Sequence, residues 1–265
     1  MSADSLVLDD GGAPVRTLRL NRPGARNALS LGLMQALEEA VRAIDSAEGV
    51  RVIILAAEGP AFCAGHDLRE MAALRDGPDG GEAAYRETFA GCVSLMTAIM
   101  TCPVPVIARV HGMATAAGCQ LVATCDLAVA STEARFATPG VNIGLFCSTP
   151  MVALSRNIAR KQAMEMLLTG EAISAEEAHR IGLINRVVAS EELDGAVSVL
   201  AEKIASKPGR ILRIGKEAFY RQLEMGVSDA YRYTAEVMTQ NMMEADAKEG
   251  IGAFMEKRDP NWTDH

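Results

Sequence analysis

Three short, predominantly apolar runs, interrupted by no more than one arginine each (Arg51, Arg109), constrain the fold of this chain more than any other feature: Val50 to Ala56, Val104 to Val110 and Leu127 to Ala130. None of them alternates between apolar and polar residues, so each must be covered on both faces, as a strand of a parallel sheet is. Parallel neighbours need crossover connections, and the intervening segments have helical character. One begins at Ser30, a residue suited to capping, and places Leu33, Leu37, Val41 and Ile44 on one face. Another spans Glu82 to Met100, after a turn-rich stretch, Gly77-Pro78-Asp79-Gly80-Gly81, expected to be mobile. Leu6 to Leu8 and Val15 to Leu20 read as a hairpin around Asp10-Gly11-Gly12. From Thr149 onward the pattern is almost wholly helical, broken at Ile184 to Val188, with three helices expected between Pro208 and Lys257. The prediction is an α/β fold with a largely parallel core and a helical C-terminal region.

The chain has 265 residues, 49% of them apolar and 23% charged, ample for one large core. A division into a core over 1–200 and a helical region over 201–265 is expected. A net charge of −8 with no basic block argues against a nucleic-acid partner. The apolar runs are too interrupted for a membrane span. Six cysteines, Cys63, Cys92, Cys102, Cys119, Cys125 and Cys147, show no CxxC spacing, and the chain has four histidines, so no metal framework is expected. Such cysteines read as small buried hydrophobes in a reducing compartment. Met1 to Asp10 is acidic, without an Arg-rich amphipathic stretch or a signal-peptide core, which points to the cytoplasm.

Two segments carry chemistry. Phe62-Cys63-Ala64-Gly65-His66-Asp67-Leu68 and His111-Gly112-Met113-Ala114-Thr115-Ala116-Ala117-Gly118-Cys119-Gln120 each run from a strand into a helix. Amide N–H groups at such helix starts lack intrahelical partners and carry partial positive charge. If the two turns converge, one N–H from each can hold a single carbonyl oxygen and stabilise the charge it gains as an enolate. Alternatively, the small residues of the second turn serve only close packing of helix on strand.

These segments, with Leu20-Asn21-Arg22-Pro23, Asn27-Ala28-Leu29, Cys125-Asp126-Leu127, Leu168-Thr169-Gly170 and Glu249-Gly250, resemble the crotonase (enoyl-CoA hydratase/isomerase) superfamily. The resemblance runs from the first strand to the last helix. It implies a spiral of ββα units, a homotrimer or hexamer assembled through the C-terminal region, and an acyl-CoA ligand. No cofactor is implied beyond the coenzyme A thioester itself. It places the oxyanion donors on the backbone N–H groups of His66 and Ala117. It places coenzyme A contacts on Ala25, Arg26, Ala28, Ala64, Gly65, Asp67 and Leu68, with Phe254 and Lys257 reaching the nucleotide end from a neighbouring subunit. Ala116-Ala117 stands where the family usually has glycines, and alanine does not favour a left-handed backbone.

Hydratases of the superfamily use two glutamates, and at the matching positions this chain has Gln120 and Gly140. Each acid/base group contributes typically ~10²–10⁴-fold, so hydration is expected to be weak. Returning carboxylates at 120 and 140 is expected to raise it. His66 flanks the first donor and offers an imidazole, as in decarboxylases of the superfamily that share Gly-His-Asp. Asn142, Cys147, Ser148 and Thr149 are expected to line the acyl pocket, with Phe146 and Met113 filling it and favouring a modest acyl group. Glu133, Asp126, His111, His179 and His265 read as structural or surface residues. Three readings remain: a hydratase/isomerase-type lyase of fatty acid metabolism, a decarboxylase or thioester hydrolase using His66, and a non-catalytic acyl-CoA binder.

Overall fold

The computed structural model describes residues 5–47, 49–77 and 79–263; His265 and Pro78 lie outside them. The opening hairpin pairs β1 (Val7–Asp10) with β2 (Val15–Leu20), antiparallel, Val7 opposite Leu20. Ser30 caps α1 (Leu31–Arg42), its hydroxyl accepting from Leu33 N at 3.1 Å, and the helix buries Leu33, Met34, Leu37 and Val41. The three apolar runs become β3 (Val52–Ala57), β5 (Val106–Val110) and β7 (Leu127–Ser131). With β10 (Arg186–Val188) they form a six-stranded sheet, order β1-β2-β3-β5-β7-β10, parallel from β2 onward. Every residue of β3 is buried, as a run without alternation requires.

Each central strand hands over to a shorter one that belongs to a second sheet. These are β4 (Ala61–Cys63), β6 (Met113–Thr115) and β8 (Arg135–Ala137), paired in parallel and closed by antiparallel β9 (Ile173–Ser174). Helices follow each strand pair: α2 (Leu68–Ala73) and α3 (Glu82–Thr101), then α4 (Ala117–Thr124), then α5 (Pro150–Asn157). The succession β3β4, β5β6, β7β8, each ending in helix, is the expected spiral of ββα units. Asp79 accepts from Gly81 N at 2.9 Å and Ala83 N at 2.8 Å, ordering the entry to α3.

After α6 (Arg160–Thr169) and α7 (Ala175–Arg180), helix α8 (Leu193–Ala205) lays Leu193, Val197, Ala201 and Ala205 against Val52, Ile54, Ile107 and Val129 of the large sheet. A division at 200/201 falls inside this helix. Three helices follow: α9 (Gly209–Gln222), α10 (Val227–Met242) and α11 (Ala245–Glu256). Buried Lys216 ties α9 to the core by donating to Ile99 O, Val104 O and Asp126 Oδ2, and Tyr220 donates to Asp126 Oδ1 at 2.9 Å. Among the described residues no helix is long and apolar enough to cross a membrane.

Candidate active site

Parallel pairing fixes the first turn. Leu29 N donates to Gly65 O at 2.7 Å and Asp67 N donates to Leu29 O at 3.1 Å, a bridge that turns the N–H of His66 to the opposite side. Ala64 N donates to Arg26 O at 3.0 Å, so residues 25–29 lie along residues 64–67. Asp67 caps α2 by accepting from Arg69 N and Glu70 N, and pairs with Arg22 at 3.0 Å. Burial alone would raise the Asp67 carboxyl, but Arg22 and the two amides hold it below the usual carboxylate range. Arg22 also donates to Ala28 O at 2.6 Å.

The second turn meets the first. Gly65 has φ +86°, and a Cβ added to it would stand 2.9 Å from Ala116 Cβ, 3.0 Å from Thr115 O and 3.4 Å from Ala117 N. The N–H of Ala117 opens α4 and has no intrahelical acceptor. The two expected donors therefore belong to turns in contact. Packing is also real: a Cβ at Gly118 would lie 2.2 Å from Cys63 O. The second turn thus combines close approach at Gly118 with an amide at Ala117 that is free of the helix's own bonding. Ala116 adopts φ 52° and ψ −118°, so the alanine that replaces glycine bears a backbone conformation that favours glycine.

Beside these amides opens a chamber of about 450 Å³, lined by Ala64, His66, Leu68, Thr115, Ala117 and Gly140, with Asn142, Phe146, Cys147, Ser148 and Thr149 as expected. The His66 ring packs edge-on to Phe89, centroids 5.5 Å apart, and neither ring nitrogen has a hydrogen-bond partner. Burial lowers the imidazole from its ordinary value, and the nearby Leu29 carbonyl opposes this only in part. Thr115 Oγ1 is likewise buried without a partner.

Other expected residues fall elsewhere. Gln120 is buried on α4, but it faces Cys92, whose thiol lies 3.9 Å from its Oε1, and it does not line the chamber. Gly140 does, yet a Cβ there would meet Cys147 Sγ and Leu145 O, each at 3.0 Å. Met113, expected in the pocket, lies outside the chamber. Phe254 and Lys257 are not brought to their own chain's chamber, and Phe254 is 85% exposed. Asp126 holds Lys216 and Tyr220, His111 bonds Gly59 O at 2.8 Å, and His179 lies 3.3 Å from Ile184 O. All six cysteines are buried and free, and burial pushes the thiols of Cys63 and Cys119 up to about 12. A larger cavity of about 660 Å³ beside Arg42, Lys216 and Tyr220 is apart from these turns.

Sequence reasoning gave no role to Asn27, which is fully buried at φ +53°. Its amide donates to Glu58 O at 2.7 Å and Ala61 O at 2.9 Å, while its Oδ1 accepts from Arg22 N. An asparagine, tolerant of a left-handed backbone, is the available signal for such a clamp. Met71 and Phe89 were also missed as chamber walls.

A family model described as enoyl-CoA hydratase/isomerase matches residues 10–265. The chain belongs to the enoyl-CoA hydratase/isomerase family. It is 49% identical to enoyl-CoA hydratase domain-containing protein 3, mitochondrial, of Xenopus laevis, over 94% of this chain and 83% of that protein. The human protein of that name is 47% identical over 94% of this chain and 80% of its own. Among solved structures, an enoyl-CoA hydratase of Mycobacterium smegmatis superposes with a TM-score of 0.94 at 53% identity, covering 98% of this chain and 99% of that one. The crystal structure of the human domain-containing protein 3 gives 0.92 at 45% identity, over 97% and 100%. The crotonase resemblance therefore holds. The cytoplasmic expectation does not: the vertebrate relatives are named mitochondrial. It rested on the composition of the first ten residues, whereas an address is read from a dedicated segment by a receptor.

Proposed function

We propose that this family member binds acyl-CoA thioesters with the carbonyl oxygen between the N–H groups of His66 and Ala117, polarising the thioester toward an enolate. The supporting observation is the contact of the two turns, Gly65 against Ala116 and Ala117, with His66 and Ala117 lining one chamber. Backbone donors do not depend on side-chain identity, so the hole survives the loss of the two family glutamates. One such donor is worth roughly 10²–10³ in rate for charge-developing steps. Hydration itself is disfavoured, because Gln120 faces Cys92 and the space beside Gly140 is filled by Cys147 and Leu145. Ala25, Arg26, Ala28, Ala64, Gly65, Asp67 and Leu68 belong to two segments that run side by side at the first turn, Ala64 and Leu68 also lining the chamber, and are the proposed coenzyme A contacts. No further cofactor is required.

Titration calorimetry with acetoacetyl-CoA tests the binding, with micromolar affinity expected, on the order of −8 kcal/mol. No heat and no competition at millimolar ligand would end this reading. The exposed apolar residues of the last helices, among them Tyr231, Met243, Phe254 and Met255, support a homotrimer or hexamer that places Phe254 and Lys257 at a neighbour's site. Light scattering should give a multiple of 28.1 kDa that is lost with truncation before Glu249.

A further inference from the structure

The walls of the chamber say what kind of acyl group it takes. Met71, Phe89, Ile143, Leu145 and Phe146 are among them, and no lysine, arginine, aspartate or glutamate is among the lining residues, all of which are described. The titratable side chains that line it are His66 and Cys147, and burial favours the uncharged form of both. Several wall residues remain partly exposed, Ile143 at 58%, Leu145 at 49% and Phe146 at 41%, so a ligand has apolar surface to cover. Met113, which lies outside the chamber, takes no room from an acyl group.

We propose that this chamber selects thioesters of uncharged, medium-length straight acyl chains and excludes acyl groups that carry a second carboxylate. The inference rests on the acyl-CoA reading above and adds the class of acyl group. A 150 Å³ cavity that accepts benzene sets a scale of roughly 25 Å³ per carbon. On that scale 450 Å³ holds the thioester end of the pantetheine arm together with a chain of about eight to ten carbons. Each methylene buried strengthens binding about fourfold. A carboxylate entering the same space would give up much of its water and meet no cation among the lining residues, a penalty that even beside partly exposed walls weakens binding at least ~10-fold. His66 is suited to this task as an uncharged polar group, since the chamber gains no net charge from it.

Competition calorimetry on the full chain with coenzyme A, butyryl-CoA, octanoyl-CoA and succinyl-CoA tests the proposal. Octanoyl-CoA should bind at least tenfold more tightly than butyryl-CoA, a floor set below the ~200-fold of complete burial because the wall residues are partly exposed. Succinyl-CoA should bind at least tenfold more weakly than butyryl-CoA. The variant Phe146→Lys should narrow the octanoyl-to-succinyl ratio at least tenfold, with thermal unfolding showing that it folds. Equal binding of all chain lengths, succinyl-CoA binding as well as butyryl-CoA, or an unchanged ratio in Phe146→Lys would each overturn the selectivity and leave the acyl-CoA reading standing. Binding of none of the four would overturn both.

Discussion

Ala116 and Ala117 are neighbours of the same type, and the structure assigns opposite signs to replacing each by glycine. Ala116 sits at φ 52° and ψ −118° ahead of α4. Holding a non-glycine residue in such a sparsely populated region costs on the order of 1–3 kcal/mol, which glycine does not incur. Glycine's greater freedom in the unfolded chain takes back roughly 0.5–1 kcal/mol. Ala116→Gly should therefore stabilise the protein by about 0.5–2 kcal/mol. An unfolding entropy near 2.1 cal/mol/K per residue, applied to 265 residues, makes this a rise in Tm of roughly 1–4 °C. Ala117, by contrast, is buried in the first turn of α4 and has no such strain. Ala117→Gly should destabilise by about 1 kcal/mol, the ordinary cost of glycine in a helix. Urea titration and thermal unfolding of both variants measure the two effects under one condition. The reasoning fails if Ala116→Gly loses stability as Ala117→Gly does, because the left-handed strain at the second turn would then not exist.

Two further outcomes follow from the same geometry. Gln120→Glu combined with Gly140→Glu should fail to raise hydration and should cost roughly 1–3 kcal/mol by overpacking against Leu145 and Cys147; crotonyl-CoA assays and urea titration check both parts. This reverses the expectation from sequence that carboxylates at 120 and 140 raise hydration, because Cys147 and Leu145 occupy the space beside position 140. Burial lowers His66 from its ordinary 6.5, so below that pH the unfolded chain takes up its proton more readily than the folded one. Stability should be full above about pH 6.5, fall as pH drops through and below it, and lose that part of its slope in His66→Gln.

Much of this arrangement was legible because it is written in contiguous residues. The runs that become β3, β5 and β7 are short but dominated by apolar residues, and Ser30 marks its helix directly. The second sheet was not visible from periodicity: β4, β6 and β8 have three residues each, too few to show a period, and their partners lie far away in sequence. The direction of Gln120 was hidden for a different reason. Every residue of α4 is buried, so the helix has no polar face to orient it. The crowding at Gly140 comes from a turn that folds back five to seven residues later, and the Arg22–Asp67 pair spans 45 positions. Neither can be read from local pattern.

The central claim is that the oxyanion pair persists while the hydration machinery does not, and the rate of crotonyl-CoA hydration by the full chain, measured beside binding of the same thioester, tests it most directly. The account predicts saturable binding with hydration close to the uncatalysed background. Turnover near a typical enzyme rate of about 10 per second or faster would contradict it, and another group in the chamber would have to be moving the protons.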